Sequence, residues 1–135
     1  MGIRDRLLFA HDFGDGIWTK HPANPVMVRD QLWAESDFIC EPNILYVDGQ
    51  FHVWYSQMFP AHGNTALGYA TSPDGFTWTK HPDNPVLSVD GVEVHRPSVM
   101  RHDGMYYLFA VQQQQDAEAA TMRRWSRTAG GSWAD

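Results

Sequence analysis

Trp18-Thr19-Lys20-His21-Pro22-Ala23-Asn24-Pro25-Val26 returns as Trp78-Thr79-Lys80-His81-Pro82-Asp83-Asn84-Pro85-Val86, identical at eight of nine positions. The single change is Ala23 to Asp83. Agreement that dense between segments 60 residues apart marks a repeated structural unit. A second alignment, with residues 41–78 moved forward by 55, sets Pro42 on Pro97, Asp48-Gly49 on Asp103-Gly104, Gln57 on Gln112, Gly75 on Gly130 and Trp78 on Trp133 without a gap. The offsets differ because the link from Val26 to Glu41 covers 15 positions and that from Val86 to Arg96 covers 10. Constant units joined by variable links, with a period in the fifties and aromatic landmarks, read as propeller blades or a related β array.

Within one unit, Asn43-Ile44-Leu45-Tyr46-Val47 is a β-rich run that stops at Asp48-Gly49, a dipeptide suited to a tight hairpin. Gln50 to Ser56 then alternates, with Phe51, Val53 and Tyr55 on one face and His52, Trp54 and Ser56 on the other. Large side chains on both faces suit a strand sandwiched between neighbouring sheets. A loop around Pro60 to Asn64 precedes a third strand, Ala66 to Thr71, which ends at the turn Ser72-Pro73-Asp74-Gly75. Trp78-Thr79-Lys80 is the short fourth strand, and the prolines of His81-Pro82-Asp83-Asn84-Pro85 make that segment the link to the next unit.

The second unit repeats Pro97 to Met100, the Asp103-Gly104 turn and the strand Met105 to Val111. Its third-strand position holds Asp116 to Trp125, where good helix formers behind an Asp cap leave helix and strand equally open. At the N-terminus, Leu7 to Ala10, Asp15-Gly16 and Trp18 give only strands three and four. The expected organisation is an all-β propeller-type chain of four-stranded antiparallel blades. Residues 1–26 form a partial blade, 27–88 a complete one, and 89–135 a second blade amounting to between half and the whole of a unit. Unpaired blade faces call for further chain or for self-association into a homo-oligomer, a dimer closing four blades or a trimer six.

Bulk properties narrow the function classes. A net charge of −6 disfavours a nucleic-acid partner, and the one basic cluster is Arg123, Arg124 and Arg127. Aromatic residues make up 13% of the chain, which suits sheet packing and also stacking against sugars. Cys40 is the sole cysteine and reads as a small core residue, so no intrachain disulfide forms. No apolar leader or membrane-length segment is visible, so the chain reads at face value as cytoplasmic and without a membrane partner. The seven histidines show no zinc spacing, Asp12-Phe13-Gly14 lacks the companions of a kinase motif, and no cofactor is called for.

Glu41-Pro42-Asn43, Phe51 to Ser56, Leu67 to Trp78, Asn84-Pro85-Val86-Leu87 and His95-Arg96-Pro97-Ser98-Val99 together resemble the blade repeats of the five-bladed arabinanase, levansucrase and invertase superfamily of glycoside hydrolases. The resemblance covers nearly the whole chain and speaks to the fold more than to activity. It implies catalytic carboxylates on the first strands of successive blades, in Asp-Pro or Glu-Pro contexts. Glu41 before Pro42 matches, whereas the next unit carries Arg96 there.

Glycoside hydrolysis needs two carboxyl groups flanking the glycosidic bond, one to protonate the leaving oxygen and one to activate water or attack carbon. The candidates are Glu41, Glu93 and Asp37. Arg96 and His95 are placed to orient substrate, and Trp33 and Phe38, in the link before a first strand, offer rings for a sugar face. Trp18, Trp54, Trp78 and Trp133 read as packing residues. The function expected is binding or hydrolysis of a carbohydrate through these carboxylates; the alternative is a non-catalytic glycan-binding or assembly module that has lost its acids.

Overall fold

The computed structural model describes residues 20–28, 38–59, 64–114, 120–128 and 131–134. Every regular element among them is a strand: β1 (Ile39–Val47), β2 (Gln50–Phe59), β3 (Asn64–Ser72), β4 (Thr79–Lys80), β5 (Val92–His102), β6 (Met105–Gln114) and β7 (Ala120–Thr128). They form two antiparallel sheets, β1-β2-β3-β4 and β5-β6-β7. The 55-residue offset carries β2 onto β6 residue for residue. It also carries the pair Thr71–Thr79 onto the isolated bridge Ser126–Ala134, so the second sheet keeps the start of its fourth strand. The N-terminal half-unit from Leu7 to Trp18 lies outside the described residues.

Both hairpins turn at Asp-Gly with both residues left-handed, φ 52° and 81° at Asp48-Gly49 and 49° and 74° at Asp103-Gly104. That geometry matches the twist of the flanking strands, and a glycine at the second position meets it without steric cost. Three boundaries move relative to the sequence reading. The first strand begins at Ile39 because Pro42 sits in a bulge and does not have to donate to the ladder. The third begins at Asn64, whose side-chain N–H groups donate to the Val89 and Val92 carbonyls. Trp78 stands just before β4, its indole N–H donating to the Gly75 carbonyl.

The helical option for residues 116–125 fails over its described part, which is strand. Pairing of β7 with β6 from Thr128 to Ala120 satisfies the backbone and buries Trp125 in the core, which outweighs a few tenths of a kcal/mol per residue of helix preference.

Where the sheets meet, Trp54 and Leu67 from one pack against Val94, Val99, Tyr106, Leu108, Ala110 and Trp125 from the other. The far face of the first sheet, Ile39, Val53, Tyr55 and Ala70, is packed by Met27 of the segment preceding it. β2 is therefore covered on both faces, as its two-sided apolar pattern requires. The second sheet differs. Met100 is 49% exposed and Met122 74%, although their repeat equivalents Leu45 and Leu67 pack into the core between the sheets.

Candidate functional site

The site grows from a repeated backbone irregularity. In β1 the ladder passes from Cys40–Ser56 to Asn43–Trp54, so Glu41 and Pro42 together oppose Tyr55. In β5 it passes from His95–Val111 to Ser98–Phe109, so Arg96 and Pro97 oppose Ala110. Glu41 and Arg96 both lie in the left-handed region, at φ 53° and 56°. Non-glycine residues held there cost about 1–3 kcal/mol each, and such strain concentrates at sites where a side chain must be aimed.

The two bulges aim Glu41 and Arg96 at each other. Arg96 Nε donates to Glu41 Oε1 at 3.1 Å, the Arg96 backbone N–H to Oε2 at 3.0 Å, and the Ser56 hydroxyl to Oε2 at 2.8 Å. The same Arg96 N–H also reaches Ser56 Oγ at 3.0 Å, and His95 Nδ1 lies 3.9 Å from Oε2. Two further bonds tie β1 and its hairpin to β5: Val99 N–H to Asn43 Oδ1, and Arg101 to Asp48. Glu41 is one-third exposed and Arg96 mostly exposed, so their ion pair adds at most about 1 kcal/mol to stability. A carboxylate whose two oxygens both accept is arranged to hold a neighbour or to take a proton, and not to hand one to a leaving group.

The structure thus brings together three of the residues expected from sequence, Glu41, His95 and Arg96. Glu93 sits on β5 opposite Gln113, two residues before His95 and on the same side of the strand, outside the groups that touch Glu41. Phe38 immediately precedes β1 and is half-buried; Asp37 and Trp33 lie outside the described residues. Ser56 has no signal in the sequence, because a hydroxyl in the middle of an apolar strand looks like filler; only the structure shows it fully buried and bonded to Glu41. Beside the cluster, burial and the Glu41 charge push the Cys40 thiol up to about 11, so it is protonated and unreactive near neutrality.

Among the described residues no three His, Cys, Asp or Glu side chains cluster as metal ligands, and no helix is long and apolar enough to cross a membrane.

No family profile matches the chain. Over 85 residues, 59% of the chain and 24% of the relative, it is 29% identical to arabinan endo-1,5-alpha-L-arabinosidase A of Aspergillus niger. Its structure resembles the protein BT0996 from a complex with RGII, with TM-score 0.66 and 19% identity over 88% of this chain and 38% of that one. It also resembles the GH43 endo-arabinanase of Bacillus licheniformis, with TM-score 0.54 and 22% identity over 73% of this chain and 36% of that one. The chain spans about a quarter of the length of the curated relative and under two-fifths of these solved structures. It is an all-β chain with the blade fold of the five-bladed propeller glycoside hydrolases.

Proposed function

We propose that the chain acts on or binds a glycan through the cluster at the paired bulges, with Glu41 as its carboxylate. The reading is carried by one observation: the carboxylate in the Glu-Pro position is met by hydroxyl, imidazole and guanidinium groups. The arabinan-cleaving relatives support a neutral furanose polymer as the substrate class. Glu93 and Asp37 are the candidates for the second carboxyl group, with Arg96 and His95 positioning substrate.

A specific observation favours the alternative, a glycan-binding module without turnover: the equivalent first-strand position of the next sheet is Arg96, and it occupies Glu41. Arabinan oligosaccharides and a panel of aryl glycosides separate the two. Turnover by the native chain that falls at least a hundredfold in Glu41→Gln, with unchanged far-ultraviolet circular dichroism, establishes the hydrolase. Binding without turnover establishes the module, and turnover indifferent to Glu41→Gln removes that residue from the mechanism.

We further infer that a second copy covers the outer face of the β5-β6-β7 sheet. Support comes from Met100 and Met122, which are exposed on that face although the equivalent leucines of the first sheet are packed.

A further inference from the structure

Away from the Glu41 cluster, and sharing no residue with it, a cleft of about 490 Å3 opens between the two sheets. Its walls include Tyr69, His81, Asp83, Arg127, Ser132 and Trp133. We propose that this cleft is a second carbohydrate site that holds one or two sugar units of a neutral glycan.

The repeat itself singles the cleft out. Three residues of the cleft differ from their repeat equivalents in identity or in hydrogen bonding. Asp83 is the one departure in the nine-residue segment, replacing Ala23. Arg127 stands where the first sheet has Ser72, whose hydroxyl is taken up in the turn with Asp74 and Gly75. Trp78 spends its indole N–H on Gly75, whereas that of Trp133 is buried without a partner among the described residues. All three differences meet at one cleft.

Its chemistry suits a polyhydroxyl ligand. The Arg127 guanidinium lies 4.7 Å from the Trp133 ring centre and 5.4 to 6.0 Å from those of Tyr106, Tyr69 and Trp54. Its Nη1 also donates to the Gly131 carbonyl, so aromatic faces and one anchor fix a fork of donors in place. Across from it, the Asp83 backbone N–H donates to His81 Nδ1, which leaves the neutral ring its proton on Nε2 as a donor. The Asp83 carboxylate and Ser132 hydroxyl add acceptors. Donors and acceptors set against the apolar edges of Tyr69, Pro85, Val86 and Trp133 match the hydroxyls and C–H faces of a sugar. Asp83 balances Arg127, and the chain's net charge of −6 opposes an anionic polymer. That the ligand is a sugar rests on the glycan reading above.

Native affinity electrophoresis through gels containing soluble arabinan, dextran or polygalacturonate tests the assignment. Asp83→Ala restores the residue of the other repeat and so preserves the fold, while Arg127→Met keeps the packed stem and removes the fork. The expected result is retardation of the native chain by a neutral polymer, weakened about tenfold in apparent affinity by either variant, the cost of losing one or two hydrogen bonds to a charged group. Adding Asp83→Ala to Glu41→Gln weakens retardation further than Glu41→Gln alone, because the cleft binds independently of the bulge cluster. Retardation lost in Glu41→Gln but unchanged in both cleft variants overturns the second site and leaves the bulge-cluster reading standing. No retardation by any neutral polymer, or stronger retardation by polygalacturonate, also overturns it.

Discussion

Gly68→Ala should destabilise the chain, although an alanine in mid-strand ordinarily gains about 0.5–1 kcal/mol over glycine. Gly68 lies opposite Tyr55 across the β2–β3 ladder, and the tyrosine ring folds down over it. A Cβ built there meets the ring at 2.4 Å, and non-bonded Cβ contacts below 3.0 Å essentially do not occur, so ring or strand must give by about 0.6 Å. Neither can give cheaply. Tyr55 is fully buried in the cluster with Met27, Ile39, Val53 and Ala70, and its hydroxyl accepts from Asn84 Nδ2. Overpacking a filled core costs roughly 1–3 kcal/mol, and strain on the Asn84 bond adds to it, so the net loss is about 1–2 kcal/mol after the alanine gain. For a chain of this size that lowers the melting temperature by roughly 4–8 °C. The assay is thermal and urea unfolding followed by tryptophan fluorescence, with Tyr55→Leu and the double variant completing a cycle. If the clash is the cause, the double variant is more stable than the sum of the single effects requires. A Gly68→Ala chain as stable as the native one, or additive effects in the cycle, refutes the packing argument.

His52 links stability to pH. Burial of its ring, stacked on Trp54 and bonded through Nδ1 to the Tyr69 hydroxyl, lowers its pKa from 6.5, with Arg127 and Arg101 adding to the effect and the Val47 backbone and Asp48 opposing it. The unfolded chain therefore takes up a proton first as pH falls, so this contribution is complete above about 6.5 and is lost down to the folded pKa. Urea midpoints should fall less steeply between pH 7 and 5 in His52→Gln than in the native chain, and parallel profiles would exclude His52 as the cause. For the outer face of the second sheet, light scattering should show a mass above that of one chain and a shift toward the monomer in Met122→Glu; a native monomer at micromolar concentration rules out the second copy.

Most of the fold was legible because the repeat states it twice. The Asp-Gly pairs and the tryptophan landmarks each impose one local geometry, and each recurs from one unit to the next. The region from Asp116 onward was ambiguous because its residues carry helix preference, and pairing with β6 decides it from Ala120, over the described residues. The site was half legible. Glu41 and Arg96 could be named from their Pro neighbours, but nothing in a linear string shows that the two bulges point at each other or that Ser56 bridges them. The cleft was hidden differently, since Arg127 read as part of a basic cluster and Trp133 as packing alone, and their meeting with Tyr69 and Asp83 depends on how the sheets stack.

The bulge separates backbone function from side-chain function. Glu41 and Arg96 carry opposite charges, yet both adopt the same left-handed conformation before proline, and both sit where two residues oppose one. The strain is thus independent of the side chain and belongs to the way each blade turns its first strand, so the irregularity alone does not mark a catalytic position. What distinguishes this junction is the pairing of unlike side chains on equivalent bulges, which converts two equivalent positions into a carboxylate and its counter-ion. A substrate that engages Glu41 must compete with Arg96 for it. Arg96 is mostly exposed and long enough to swing aside, so hydroxyls of a sugar can take its place on the carboxylate at small electrostatic cost in water. On the function proposed above, the guanidinium then remains free to bind the same ligand, and the ion pair would be the resting arrangement of a binding site whose two halves are contributed by two sheets.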